Sequence, residues 1–113
     1  MCKIITVTLN PAMDKTIKIN NLQIGRINRI SDIRYDIGGK GINVSKVLNA
    51  FGIKSIVTGF LGGQYSDVFK TQLLKQGIET KFFKVLGDTR VNTKIIDTAT
   101  GVCTDINELG PNV

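Results

Sequence analysis

Apolar and polar positions along the chain follow two periodicities, which predict two kinds of element. Residues 3–9 are rich in β-branched side chains and end at Asn10 and Pro11, which predicts a short buried strand. Two more apolar segments of strand length lie at about residues 55–60 and 81–86. Segments whose apolar residues have helical spacing lie between these three. Strand, helix, strand, helix and strand in succession are typical of a parallel sheet covered by helices.

Two segments have the spacing of amphipathic helices. The first follows a glycine cluster, and its apolar residues at i, i+3, i+4 and i+7 are Val44, Val47, Leu48 and Phe51. This stripe predicts an amphipathic helix that ends at Gly52. A second helix is predicted over about residues 66–76, with Gly77 as its C-terminal cap.

Alternating segments interrupt this pattern twice. Within residues 16–37, isoleucine and tyrosine alternate with polar residues, which predicts half-exposed strands of an antiparallel sheet with one wet face. Asp14 is predicted to lie just past the end of the first strand, where open α/β sheets usually hold ligands. Two further alternating segments, residues 91–97 and 102–107, predict a hairpin.

Composition narrows the classes of function. Among the 113 residues, 15 lysines and arginines against 9 acidic residues give a net charge of +6, which favours an anionic partner. No basic cluster of the kind that binds nucleic acid is present, so we expect none as a partner. Cys2 and Cys103 are too few for a metal site, and histidine is absent. No segment predicts a membrane helix, and we expect a cytoplasmic protein with free thiols.

The strongest local signal is the glycine-rich segment at residues 38–43. Glycines let the backbone approach a ligand closely, and a following helix N-terminus offers unpaired N–H groups to an anion. Lys40 would add positive charge, and the Asn43 amide can donate to and accept from a sugar hydroxyl. The alternative is a tight turn in which Asn43 only caps the helix.

Two nucleotide-binding motifs fit this segment badly. A Walker loop needs serine or threonine after its lysine, whereas Gly41 follows Lys40. A dinucleotide fingerprint needs glycine or alanine where Val44 stands, and a buried strand before the glycines. These mismatches disfavour a fragment of a dinucleotide-binding oxidoreductase.

Several motifs together resemble the PfkB carbohydrate kinase family. They are Thr-Leu-Asn-Pro-Ala-Met-Asp at residues 8–14, Gly-Gly-Lys-Gly-Ile-Asn-Val-Ser at residues 38–45, Gly52 and Gly62. With Gly-Asp-Thr-Arg at residues 87–90, they look most like the branch of fructose 1-phosphate and tagatose 6-phosphate kinases.

The resemblance implies a ribokinase-like α/β fold, a three-layer core with a parallel sheet and a small β-sheet lid. Residues 1–113 would form the N-terminal part of one kinase domain. The core would comprise about residues 1–13 and 38–88, and the lid strands about residues 14–37 and 89–109. The lid would also offer a surface for a homodimer.

The resemblance also implies a set of substrate-binding residues: Asp14, Gly38, Gly39, Lys40, Asn43 and Arg90. In that set Asp14 and Asn43 would hold sugar hydroxyls, Lys40 and Arg90 would neutralise the sugar phosphate, and the two glycines would form a hinge. Without the resemblance, Asp14 reads equally well as a turn residue and Arg90 as a solvated arginine.

The implied reaction is transfer of the γ-phosphoryl group of ATP, with Mg²⁺, to a hydroxyl of a ketohexose monophosphate. The family places its catalytic base, in a Gly-Ala-Gly-Asp segment, and its nucleotide site in the C-terminal half. That segment does not occur in this sequence. We therefore expect no catalytic residue up to Val113, no binding of ATP or Mg²⁺ by this fragment alone, and no turnover. The rival hypothesis is a non-catalytic phosphosugar-binding module or a truncated product.

Overall fold

The computed structural model describes residues 3–111. In chain order its elements are β1 (Ile5–Thr8), β2 (Ala12–Ile19), β3 (Asp32–Gly38), α1 (Lys40–Ala50), β4 (Ile56–Leu61), a 3-10 turn (Gly63–Tyr65), α2 (Ser66–Lys75), β5 (Glu79–Lys84), β6 (Arg90–Asp97) and β7 (Cys103–Asn107). Among residues 3–111, no helix has the length and apolar character needed to cross a membrane.

The three predicted apolar segments form a parallel sheet in the order β1-β4-β5. The α/β prediction is therefore confirmed. The core lies between this sheet and the helices, and it contains Met13, Ile37, Ile42, Val57, Leu61, Phe69, Leu73 and Ile78. Strand β5 begins and ends two residues earlier than predicted, and Leu86, which we had placed in that strand, is exposed.

The predicted apolar stripe of α1 is largely exposed. Val44, Val47 and Phe51 are 51%, 57% and 78% exposed, whereas Ile42 and Ser45 are fully buried against the sheet. The Ser45 hydroxyl lies 2.8 Å from that of Thr6 in β1 and accepts a hydrogen bond from Ser55 at 2.7 Å.

Close approach of α1 to β1 explains this face. A Cβ added to Gly41 would lie 2.5 Å from Oγ1 of Thr8, so only glycine fits at that contact. The Ile42 N–H donates to the same hydroxyl at 3.0 Å, which fixes the rotation of the helix. Gly41, Ile42 and Ser45 therefore face the sheet, whereas Val44, Val47 and Phe51 face away from it.

The alternating segments form a second sheet in the order β3-β2-β6-β7. Its outer pairs are antiparallel, and the hairpin predicted for β6 and β7 is confirmed. Its central pair, β2 and β6, is parallel, so the prediction of an antiparallel sheet is wrong there. The chain leaves the parallel sheet at the same edge after β1 and after β5, so β2 and β6 run in the same direction.

The two faces of this mixed sheet differ in chemistry. Directly paired residues project to the same side, so the register defines each face. The polar face carries Asp14, Thr16, Arg34, Asp36, Arg90, Asn92, Lys94, Asp105 and Asn107. The opposite face carries Met13, Ile17, Ile33, Tyr35, Ile37, Val91, Ile95 and Ile106.

Candidate functional site

The predicted site residues lie where the two sheets meet. Strand β1 ends at Thr8, β2 begins at Ala12, and Ala12 pairs with Gly38 on one side and with Arg90 on the other. Helix α1 begins two residues after Gly38. The junction therefore stands at the carboxyl end of β1, the edge where α/β sheets commonly bind ligands.

Asp14 lies past the carboxyl end of β1, as predicted, and is the third residue of β2. Pro11 does interrupt the chain, but Ala12 starts a new strand at once. Asp14 pairs with Asp36 of β3 and with Asn92 of β6. Its carboxylate therefore projects from the polar face among charged neighbours.

The electrostatics of Asp14 reflect two opposing causes. Burial raises the pKa of this carboxyl, and the positive charge of Arg90 acts in the opposite direction. The neighbouring Asp36 adds a smaller upward effect on that pKa, and Lys46 a smaller downward one. Asp14 is thus partly desolvated, and the positive charge of Arg90 offsets part of the cost of ionising its carboxyl group.

Gly38 and Gly39 make close contacts at this junction. A Cβ on Gly38 would lie 2.5 Å from Oδ2 of Asp14, so the missing side chain leaves room for the carboxylate. Gly39 has a φ of 137°, and a Cβ there would lie 2.5 Å from Cγ2 of Thr8. The pair connects β3 to α1 with no side chain of its own.

Arg90 is held in place but is not fully paired. One terminal nitrogen, Nη2, donates to the Asn10 carbonyl at 3.1 Å. Its Nε is buried and has no partner among the described residues. A buried guanidinium N–H without an acceptor is unusual in a folded protein.

Lys40 and Asn43 occupy the first turn of α1, and both are exposed. They stand three positions apart and therefore share a face of the helix. The N-cap residue is Gly39, which makes no side-chain capping bond, so the interpretation of Asn43 as a cap is wrong.

Sequence reasoning missed two residues of this junction. Asn92 follows Arg90 by two positions in β6, and its buried Oδ1 has no partner among residues 3–111. Lys46 donates from Nζ to the Ile37 carbonyl at 2.6 Å and so ties α1 to the end of β3. The alternation of β6 is a signal that could have identified Asn92, because it shares a face with Arg90. No sequence pattern points to Lys46.

The sequence profile described as pfkB family carbohydrate kinase matches residues 7–113. This chain belongs to that family. A 1-phosphofructokinase of Haemophilus influenzae is 42% identical over 110 residues, which are 97% of this chain and 35% of the relative. The PfkB chain thus spans about a third of the length of the relative it matches.

Solved structures agree with this family. A Staphylococcus aureus candidate phosphofructokinase has a TM-score of 0.91 and 38% identity over 97% of this PfkB chain and 35% of its own. A ribokinase of Thermotoga maritima, at 24% identity, has a TM-score of 0.77 over 95% of this chain and 36% of its own. The second likeness bears on the fold alone, and it confirms the ribokinase-like fold expected for the N-terminal part.

Membership of a carbohydrate kinase family implies ATP as the phosphoryl donor, but the described residues do not fit its site. The glycine segment packs on Thr8 and Asp14 and has neither the Walker pattern nor the dinucleotide fingerprint. Within residues 3–111, no three carboxylate, thiol or imidazole groups gather closely enough to hold a metal ion. We therefore assign neither ATP nor Mg²⁺ to residues of this PfkB chain.

Proposed function

We propose that this chain is the sugar-binding part of an ATP-dependent phosphosugar kinase. Its acceptor would be a ketohexose monophosphate, fructose 1-phosphate or tagatose 6-phosphate, and the product the bisphosphate. The unpaired, buried Nε of Arg90 beside Asp14 is the observation that carries this proposal.

Arg90 is the proposed phosphate-binding residue. The Asn10 carbonyl orients one end of the guanidinium, which leaves Nε and the other terminal nitrogen as donors. A planar guanidinium fits two oxygens of a phosphate, and such charge-assisted hydrogen bonds are stronger than neutral ones. A bound phosphosugar would therefore satisfy the donor that the protein leaves unpaired.

Asp14 is the proposed acceptor of sugar hydroxyl groups. An ionised carboxylate accepts hydrogen bonds and donates none, so it suits a ligand rich in O–H groups. Arg90 favours the ionised form, while burial removes competing water. We propose that Lys40 adds positive charge for the phosphate and that Asn43 contacts a hydroxyl, both from the first turn of α1.

The mixed sheet is the proposed lid, and Gly38 and Gly39 are its proposed hinge. Two glycines without side chains can absorb a change of φ and ψ between β3 and α1. The lid strands would be β2, β3, β6 and β7, and the parallel sheet with its helices would be the core.

Phosphoryl transfer itself would need groups that this chain does not supply. The proposed base, ATP and Mg²⁺ would belong to a C-terminal half, so residues 1–113 would bind the acceptor without turnover. Sugar binding without ADP formation would equally describe the non-catalytic module. The compartment we propose is the reducing cytoplasm, where the exposed thiol of Cys103 stays free.

Calorimetric titration with fructose 1-phosphate and tagatose 6-phosphate tests the proposal, with fructose as the unphosphorylated control. We expect saturable binding of a phosphosugar only. Arg90→Ala should weaken it about tenfold to a hundredfold, because hydrogen bonds to charged groups contribute about 1.5–3 kcal/mol. Arg34→Ala is the matched control, since Arg34 lies on the same face and is largely exposed in its ion pair with Asp36.

Circular dichroism must show that each variant is folded. Equal binding by the wild type and Arg90→Ala, or equal heat from fructose, would contradict the proposed site. Loss of binding in Arg34→Ala to the same degree would show that general positive charge, and not Arg90, attracts the ligand.

A homodimer through the lid is the proposed assembly, and the apolar face of the mixed sheet is the surface that supports it. Ile33, Tyr35 and Ile106 are each about half exposed there. Sedimentation should show a dimer that Ile106→Lys dissociates. The control Asp105→Lys changes the adjacent residue, which lies on the polar face, and should leave the dimer intact. A wild-type monomer at high concentration would contradict the proposal.

A further inference from the structure

Asn92 presents an unpaired acceptor at the centre of the mixed sheet. Strand β6 lies between β2 and β7, so its backbone is hydrogen-bonded on both sides. The side chain projects from the polar face between Asp14 and Asn107, and its Oδ1 is buried without a partner among the described residues. Buried polar atoms are nearly always hydrogen-bonded, so this one calls for a partner.

The neighbours of Asn92 do not provide that partner. Asp14 is an acceptor when ionised and cannot donate to Oδ1. A groove of about 350 Å³ opens on this face, and Asp14, Arg34, Asp36, Asn92, Lys94 and Asn107 are among the residues that line it. The side chain of Asn92 therefore borders a space that a polar ligand can enter, with its Oδ1 on the buried side.

A second unpaired group stands on the same strand and the same face. The Nε of Arg90 lacks an acceptor, and the Oδ1 of Asn92 lacks a donor. Two residues of extended strand separate their Cα atoms by about 7 Å. One small ligand with an anionic group at one end and hydroxyl donors beyond it would satisfy both atoms.

We propose that Asn92 accepts a hydrogen bond from a hydroxyl of the phosphosugar whose phosphate Arg90 binds, and thereby discriminates against a ketose phosphate that places its hydroxyls elsewhere. The assignment rests on the proposed function and adds a specificity-determining residue to it. A site built to hydrogen-bond a hydroxyl discriminates strongly against an analogue that places it elsewhere, because the protein group is then left unpaired. Asn92 would therefore distinguish fructose 1-phosphate from tagatose 6-phosphate, which place their hydroxyls and phosphate differently.

The test compares Asn92→Leu, which keeps the size and removes the acceptor, with Asn107→Leu. Asn107 pairs with Asn92, lines the same groove and is exposed on the edge strand, so it is a matched control. The ligands are fructose 1-phosphate, tagatose 6-phosphate and inorganic phosphate, titrated by calorimetry. Thermal melts accompany each titration.

Asn92→Leu should weaken binding of the preferred phosphosugar at least about tenfold, as expected for one lost hydrogen bond in a desolvated site. Its preference between the two sugars should shrink toward equality, while its affinity for inorganic phosphate stays unchanged. Its melting temperature should equal or exceed that of the wild type, because an unpaired buried acceptor is gone. Asn107→Leu should bind all three ligands within about twofold of the wild type.

Asn92→Asp provides a second variant, since it retains an acceptor oxygen at the same place. It should bind less tightly because of the added negative charge, but it should keep the preference between the two sugars. Loss of that preference in Asn92→Asp, with phosphate binding intact, would overturn the acceptor role. A lower melting temperature and loss of inorganic phosphate in Asn92→Leu would also overturn it, because they would indicate a structural role.

The outcomes separate this inference from the proposed function. If Asn92→Leu binds as the wild type does while Arg90→Ala does not bind, Asn92 is not a specificity residue and the proposed function stands. If the folded wild type binds neither phosphosugar, the proposed function fails, and the assignment of Asn92 fails with it.

Discussion

The two sheets use their side chains in contrasting ways. In the parallel sheet, Val57 and Leu61 of β4 are almost completely buried beneath helices, and their neighbours in the core are apolar. In the mixed sheet, every residue of β7 is exposed, and the polar face holds charged side chains of both signs. The first sheet stabilises the chain through buried apolar area, whereas the second presents groups that can recognise a ligand.

The junction between the sheets combines both properties. Thr89 is buried there and accepts a hydrogen bond from the Gly62 N–H at 2.9 Å, while its own N–H donates to the Gly62 carbonyl at 2.9 Å. This contact joins the end of β4 to the start of β6, one residue before Arg90. The position of the proposed phosphate-binding residue therefore depends on the stable sheet, although its side chain belongs to the polar one.

The largest expected effect is on the core of the parallel sheet. Leu73→Ala should lower the free energy of unfolding by about 2–5 kcal/mol, because it removes buried methyl groups and leaves a cavity. Leu74→Ala, at the next position of α2, should change it by no more than about 0.5 kcal/mol. Leu73 is 0% exposed and Leu74 is 74% exposed, so the pair isolates burial from residue type.

Denaturant unfolding followed by circular dichroism measures both variants. Equal losses at the two positions would mean that Leu74 is also covered, for instance by self-association. That result would undermine the contrast between a buried sheet and an exposed one.

The next effect concerns the junction, where Gly38→Ala should disturb binding more than folding. The one severe contact of the new Cβ would be with Oδ2 of Asp14, the end of a flexible side chain, which can move aside. We expect stability within about 1 kcal/mol of the wild type. Phosphosugar affinity should fall about tenfold, as expected for loss of one hydrogen bond to a charged group.

A double-mutant cycle identifies the cause of that loss. In an Asp14→Ala background, Gly38→Ala should have no further effect on affinity, because the displaced carboxylate is already absent. Additive losses from the two substitutions would show that Gly38 acts through something other than Asp14, such as hinge motion.

Sequence patterns predicted the order of elements well, because each strand and helix carries its own periodicity. They failed where contacts between distant residues determine strand pairing and the rotation of a helix. The parallel pairing of β2 with β6 joins residues nearly eighty positions apart, and nothing in either segment reveals its partner. Helix α1 turns Ser45 and not Val44 toward the sheet because Gly41 and Thr8 bring the helix close to β1.

The site residues show the same division. Motifs predicted Asp14 and Arg90, which the register then places on one face around Ala12. Asn92 carries no motif and stands out only through its buried, unpaired oxygen, which is a property of the folded chain. Lys46 became visible only through its hydrogen bond to the Ile37 carbonyl.

The smallest expected effect concerns Asp97, which fastens the outer end of the mixed sheet. Its carboxylate accepts hydrogen bonds from the N–H groups of Ala99, Asn21 and Leu22 at 2.9, 3.0 and 3.1 Å. The hydrogen bond from Ala99 is the main cause that lowers the pKa of Asp97 below its ordinary value of 3.8. The stabilisation is therefore present above that ordinary value and is lost as the pH falls through the lower folded-state pKa.

Asp97→Asn should lower the melting temperature at neutral pH by a few degrees and flatten its decline in acid, because a neutral amide cannot serve all three donors as a carboxylate does. Thermal melts from neutral pH down to about pH 2 measure both effects, since that interval spans the titration of carboxyl groups. Asp105→Asn, at an exposed position of β7, is the control and should change neither. An unchanged acid profile in Asp97→Asn would mean that the turn holding Asn21, Leu22 and Ala99 together does not depend on the charge, and that the mixed sheet is fastened by its strands alone.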